Sequence, residues 1–244
     1  MTICKIFIEE AVEAARGLSE MFFPRKCVVC GCFLDTGERD ICGGCLEELP
    51  LTYHWDIVQN AAFERLARRF EVQDAASLFF FGAESDYRNI LYGIKYGGRR
   101  EFGRSLGRLL GRKLADAKAF GNCHAVVPVP LHPLRQWKRG YNQAEEIARG
   151  VAEELGLPVE TGLLKRHRRT RTQTKLHGEA KSRNVQGAFS LNDEKLPQLL
   201  ENGIYRLLLI DDVLTTGSTL AACAAPLLEV GFSISVATLA FSGT

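Results

Sequence analysis

The chain has 244 residues, 46% of them hydrophobic and 25% charged, enough for one substantial core plus a small accessory module. A formal net charge of +2 gives no reason by itself to expect a nucleic-acid partner, so only the distribution of charge can argue for one. No stretch reaches the roughly 20 consecutive apolar residues needed to cross a bilayer, which argues against membrane insertion.

In chain order, Ile3, Ile6, Phe7, Ala11, Ala14, Ala15 and Leu18 fall at helical spacing. Glu9, Glu10 and Glu13 interrupt them before a signal-peptide run develops, so a helix in a cytoplasmic protein is expected. Five of the eight cysteines then lie between Cys27 and Cys45. Cys27-x2-Cys30-Gly31 and Cys42-x2-Cys45 are two knuckles, each able to aim two thiolates at one tetrahedral Zn²⁺. The surrounding segment has too few apolar residues for its own core, so the metal is expected to be structural and coupled to folding. Cys32 competes for one ligand position. Cys4, Cys123 and Cys223 read as buried small apolar residues.

The expected division is an N-terminal helix and zinc-binding module over residues 1–50, a linker over 51–75, and an α/β domain over 76–244. Ser77-Leu78-Phe79-Phe80-Phe81 reads as a strand, and Asp86 to about Ala117 as helix broken at Gly97-Gly98. Ala125 to Pro130 reads as a buried strand whose terminal prolines stop ladder pairing. Asn142 to Glu145 has the N-x-x-E form of a capping box, opening a helix that Gly156 and Pro158 close. Arg206-Leu207-Leu208-Leu209-Ile210 is a second apolar strand, followed by an acidic, threonine-rich loop, a helix to about Val230, and a strand from Ser233 to Phe241. Such alternation predicts a mostly parallel sheet with helices on both faces.

The loop after Ile210 carries the most chemistry. Asp211, Asp212, Val213, Leu214, Thr215, Thr216, Gly217, Ser218 and Thr219 would sit at the carboxyl edge of the sheet, where ligands of open α/β folds bind. Backbone N–H groups at a helix start can surround a phosphate, Gly217 lets the backbone approach closely, and the loop's hydroxyls add donors. Two adjacent carboxylates would repel a phosphate but suit the vicinal hydroxyls of a sugar.

This run closely resembles the signature of type I phosphoribosyltransferases. There the acidic pair holds the ribose of phosphoribosyl pyrophosphate and the following loop holds its 5′-phosphate. More of the chain resembles the ComF family, phosphoribosyltransferase-like proteins associated with DNA uptake in natural transformation. The matching segments are the double C-x-x-C, Ile94-Lys95-Tyr96-x-Gly98, Val127-Pro128-Val129-Pro130, Arg139-Gly140-Tyr141-Asn142-Gln143, Thr172-Gln173 and Arg183-Asn184-Val185-x-x-Ala188-Phe189. The resemblance implies a phosphoribosyltransferase-like fold, with the turn at Pro130 and Leu131, and Arg139 after it, in the pyrophosphate-loop position. It also implies that the segment from about Arg168 to Lys181, with Arg169 and Arg171, is a mobile loop, and that Mg²⁺ accompanies the pyrophosphate.

Arg104, Arg108 and Arg112 repeat every fourth residue on one helix face, beside Gly103, Gly107 and Gly111. They read either as a solvated face with glycines allowing close packing or, joined to Lys95, Arg99, Arg100 and the cluster from Lys165 to Arg183, as a groove tracking the phosphates of single-stranded DNA. Tyr96, Phe102 and Tyr141 could stack bases or serve as core. Gly98-x4-Gly103-Arg104-Ser105 imitates a nucleotide-binding loop but lacks its lysine and its preceding strand. His124, His132, His167 and His177 show no metal spacing.

Two functional expectations follow. One is an enzyme transferring a phosphoribosyl group, either in DNA uptake or in nucleotide salvage, though nothing identifies its acceptor. The other is a binding or adaptor protein that keeps the fold while its partner is single-stranded DNA or a DNA-import helicase.

Overall fold

A computed structural model describes residues 25–82, 84–167 and 187–243. The expected N-terminal helix, Cys4, Arg169, Arg171, His177, Thr172-Gln173 and Arg183-Asn184-Val185 lie outside them. The chain divides into two compact units, Met1–Leu49 and Pro50–Thr244.

In the first unit only Cys27, Val29 and Leu49 are buried among the described residues, too little apolar surface to order it. A turn closes from Gly31 N–H to the Cys27 carbonyl at 3.0 Å, and a short helix, α1 (Gly43–Glu47), starts directly after Cys42.

The second unit opens with residues 51–75. These are not the expected linker: Leu51 bridges Phe79, His54–Asp56 form a 3₁₀ turn, and α2 spans Ala61–Ala67. Asn60 holds the stretch together. Its side-chain oxygen caps α2 by accepting from the Ala62 and Phe63 amides, and its Nδ2 donates to the carbonyls of His54, Ile57 and Ala75. Order that rests partly on one polar side chain is not visible as a hydrophobic period.

Next come β1 (Ala75–Phe81), α3 (Arg88–Tyr96), α4 (Arg100–Asp116), β2 (Ala125–Pro128), α5 (Pro133–Arg139) and α6 (Gln143–Leu155). They are followed by β3 (Leu164–Arg166), β4 (Phe189–Leu191), α7 (Leu196–Glu201), β5 (Arg206–Leu214), α8 (Ser218–Glu229) and β6 (Ser233–Ser242). The main sheet has the order β1-β6-β5-β2, and every pairing in it is parallel. β3 and β4 form a separate antiparallel pair that sequence reading did not anticipate, since each strand has three residues.

Both faces of the sheet are covered. Leu207, Leu209, Val127, Ile234 and Val236 pack in one cluster with Leu220, Cys223, Ala224 and Leu227 of α8 and with Leu66 of α2. The alternating residues Leu208, Ile210, Val126 and Ala237 are equally buried, on the side where α6 contacts β2 and β5. α4 packs along α6 at backbone distance: a Cβ on Gly107 would collide with the Ile147 carbonyl, and one on Gly150 with the Arg104 carbonyl. The glycine stripe of α4 is therefore a packing device.

Candidate phosphosugar site and metal centre

β5 does not stop at Ile210 as the apolar run suggested. It stays paired to β6 through Asp211↔Thr238, Val213↔Ala240 and Leu214↔Phe241, so both carboxylates belong to a strand of the sheet; hydropathy measures burial, not ladder pairing. The loop is then only Thr215–Gly217 before α8 begins at Ser218. Gly217 is the N-cap, with φ of 75°, a left-handed conformation natural to glycine. A Cβ there would stand 2.8 Å from Leu66 Cδ2. Ser218 is buried and its hydroxyl lies 3.0 Å from that of Thr216. The first N–H groups of α8 have no intrahelical acceptor and join these hydroxyls as donors at one end of a helix.

Asp212 is 4% exposed and its Oδ2 is 2.7 Å from Lys95 Nζ at the last turn of α3. Asp211 accepts from the Asp212 backbone N–H at 2.8 Å. Burial first, and then the neighbouring Asp212 charge, push the Asp211 carboxyl up to about 8. Arg166 of β3 also feels the Asp211 charge; burial is the larger influence and holds its guanidinium below its usual range.

Behind the loop, Arg65 of α2 donates to the carbonyls of Thr215 at 2.9 Å and Ser242 at 2.7 Å, and its guanidinium lies 4.0 Å over the Phe241 ring. Arg69 Cδ comes within 3.3 Å of the position a Gly217 Cβ would take. Sequence reading singled out neither Arg65 nor Arg69 and gave Lys95 no acidic partner. These contacts join residues up to 177 positions apart, and no local pattern marks them.

At the same sheet edge β2 ends at Pro128, and Pro130 and Leu131 form the turn into α5. Asn142 ties this turn down: its Nδ2 donates to the Val129 carbonyl at 3.0 Å, and its oxygen accepts from Ala144 N–H at 3.2 Å. Only half of the expected capping box forms, because Glu145 pairs with Arg149 at 2.5 Å instead. A cavity of about 450 Å³ is lined by Pro128, Pro130, Leu131, Lys165, Arg166 and His167, among others. Arg139 lies 5.1 Å over the Tyr96 ring, which brings two of the sequence segments together.

The other basic positions have partners of their own. Arg104 pairs with Glu153, Arg108 with Glu101 at 2.5 Å and Glu153 at 3.1 Å, and Arg112 with Glu154 at 2.9 Å. Arg100 donates to the Gly140 carbonyl and stacks 4.9 Å over Tyr141. The three-arginine face is thus largely neutralised by α6, and the nucleotide-loop imitation at Gly98 to Ser105 lies mostly inside α4.

In the first unit the thiols of Cys27, Cys30, Cys32 and Cys42 all lie within 4.8 Å of one another. Cys30 is 3.2 Å from Cys32 and 3.7 Å from Cys42. A tetrahedral site with Zn–S near 2.3 Å requires sulfurs about 3.8 Å apart, so this donor set fits a zinc ion. The set contains Cys32 where the knuckle spacing placed Cys45, although Cys45 also interacts with Cys30 and Cys42. Backbone N–H of Cys32, above all, lowers the Cys30 thiol to about 6, favouring the thiolate that a metal binds.

No family model matches the chain. It is 42% identical over 96 residues to "Competence protein F" of Haemophilus influenzae, a match covering 39% of this chain and 40% of that protein. It is 37% identical over 106 residues to "DNA utilization protein YhgH" of Salmonella typhi, and 35% identical over 106 residues to the same-named protein of Escherichia coli K12. Each of these covers 43% of this chain and 44% of the relative. The matches thus span less than half the length of these relatives. Among solved structures, a glutamine phosphoribosylpyrophosphate amidotransferase from B. subtilis, complexed with ADP and GMP, is 22% identical, covering 59% of this chain and 29% of that one at a TM-score of 0.36. No helix among the described residues is long and apolar enough to cross a membrane.

Proposed function

We propose that this protein binds the ribose 5-phosphate group of phosphoribosyl pyrophosphate at the end of β5 and serves DNA uptake. One observation carries the ligand assignment. An acidic pair near the end of β5 is followed, after Val213 and Leu214, by a three-residue loop, with left-handed Gly217 at its end, that opens onto the N-terminus of a twelve-residue helix. Carboxylates suit sugar hydroxyls, and helix N–H groups with clustered hydroxyls suit a phosphate. The Pro130–Leu131 turn at the same edge, beside Lys165 and Arg166, supplies a place and positive charge for pyrophosphate, with Mg²⁺ arriving as its counter-ion. Positioning and charge stabilisation are the chemistry these residues offer; transfer further needs an acceptor beside the anomeric carbon. The role in DNA uptake rests on the names of the relatives. We assign the cysteine cluster a structural Zn²⁺.

Calorimetric titration with phosphoribosyl pyrophosphate and Mg²⁺ tests the ligand. Wild type should bind and Asp212→Asn should lose at least tenfold in affinity; no heat with wild type rejects the reading.

A second reading, single-stranded DNA binding without turnover, is favoured by a different observation. Tyr92 and Tyr96 are exposed and stacked at 6.2 Å, with the Arg139 guanidinium over Tyr96. Bases stack on such aromatic surfaces with little sequence preference. Replacing Tyr92 by alanine should weaken oligothymidylate binding at low salt while leaving sugar-phosphate binding intact. Unchanged DNA affinity would remove this reading.

A further inference from the structure

The acid pair poses an electrostatic problem that the ribose reading alone does not resolve. Two consecutive carboxylates lie in a strand of a sheet buried on both faces, and Asp212 is nearly sealed from solvent. Leaving both ionised there without compensation is costly. The charged and titratable groups that act on Asp211 are Asp212 beside it, Lys95 from α3, Arg166 from β3 and Cys223 from α8. Asp212 has Lys95 at 2.7 Å.

Lys95 is held in place from both sides. The residue before it, Ile94, gives its carbonyl to the Tyr141 hydroxyl. The residue after it, Tyr96, lies beneath Arg139. Between Arg139 and Tyr141, the Gly140 carbonyl accepts from Arg100, which also covers the Tyr141 ring. The end of α3 and the α5–α6 turn therefore form one clamp, and the ammonium between its jaws points at Asp212. A lysine serving a surface groove would need no such fixing.

We propose that Lys95 is a positioning residue of the acid pair: its ammonium, 2.7 Å from Asp212 Oδ2, holds that side chain in place as an acceptor for a ribose diol. The assignment rests on the ribose reading for its ligand but not for its electrostatics. The raised Asp211 carboxyl agrees with it, since burial and the Asp212 charge both favour the neutral form.

Carbon-detected carboxyl titration of the full chain from pH 3 to 9, with ribose 5-phosphate calorimetry alongside, tests this. In Lys95→Met the Asp212 midpoint should rise by at least one pH unit and ribose 5-phosphate affinity should fall at least tenfold, with an altered pH dependence. Lys95→Arg should keep Asp212 ionised. An Asp212 midpoint unmoved in Lys95→Met overturns the proposal. If wild type gives no heat with ribose 5-phosphate, the ribose reading and the diol half of the proposal fall, while the carboxyl titrations still decide the charge role of Lys95.

Discussion

The β5 loop and the cysteine cluster are both candidate binding sites, but they are ordered by opposite means. Gly217 and its neighbours are fixed before any ligand arrives, by Leu66 against the glycine, Arg65 on the Thr215 carbonyl, and a strand paired on both sides. The cluster of Cys27, Cys30, Cys32 and Cys42 belongs to a segment with almost nothing buried. One site is preorganised by a core, and the other needs its metal to replace a core. Loss of ligand should therefore leave the first standing and dissolve the second.

Metal removal gives the largest expected effect. Structural zinc contributes about 10–16 kcal/mol of binding free energy in small zinc modules. Chelation, or Cys30→Ser, should abolish protected amides over residues 25–49 in hydrogen exchange while protection in β5 and β6 persists. Loss of protection in both would show that the two do not differ as described.

Gly217→Ala comes next. A side chain at a left-handed φ costs roughly 1–2 kcal/mol, and here it also meets Leu66 at 2.8 Å. Urea unfolding should show a loss of this order, with weaker sugar-phosphate binding. Wild-type stability would mean that the loop is not held as tightly as its contacts imply.

A separate effect concerns pH. The Asp211 carboxyl is raised in the folded state from 3.8 to about 8, so between those values the folded form holds more proton than the unfolded one. Stability from this group is full below the lower value, falls as pH rises through the window and is flat above it. The burial-lowered His54, at about 4, acts in the opposite sense below its ordinary 6.5, so the difference between proteins is the useful measure. Relative to wild type, Asp211→Asn should become more stable as pH rises from 5 to 8; a constant difference contradicts the assignment.

The smallest effect belongs to α4. Exposed ion pairs contribute about 0–1 kcal/mol, so Arg112→Ala should shift unfolding midpoints little, and single-stranded DNA affinity should not change.

The sequence made the β5 loop and the cysteine knuckles legible because both are short-range patterns whose chemistry depends on residue type and spacing. The alternation of strands and helices was visible for the same reason. What could not be read depends on partners distant in sequence. Lys95 and Arg104 look alike as basic residues on amphipathic helices, yet one faces a buried aspartate and the other a glutamate of α6. Residues 51–75 are tied together in part by Asn60, whose bonds to Ala75 and His54 follow no hydrophobic period. β3 and β4 are too short to alternate visibly. Among the cysteines, spacing alone favoured Cys45, while the chain's path brings Cys32 into the cluster.

The central claim is that Asp211 to Thr219 is a ribose 5-phosphate site that exists before its ligand. Titrating phosphoribosyl pyrophosphate with Mg²⁺ into zinc-stripped protein tests it most directly. Saturable binding with wild-type affinity, lost in Asp212→Asn, is predicted. No binding, or binding indifferent to Asp212, would contradict it.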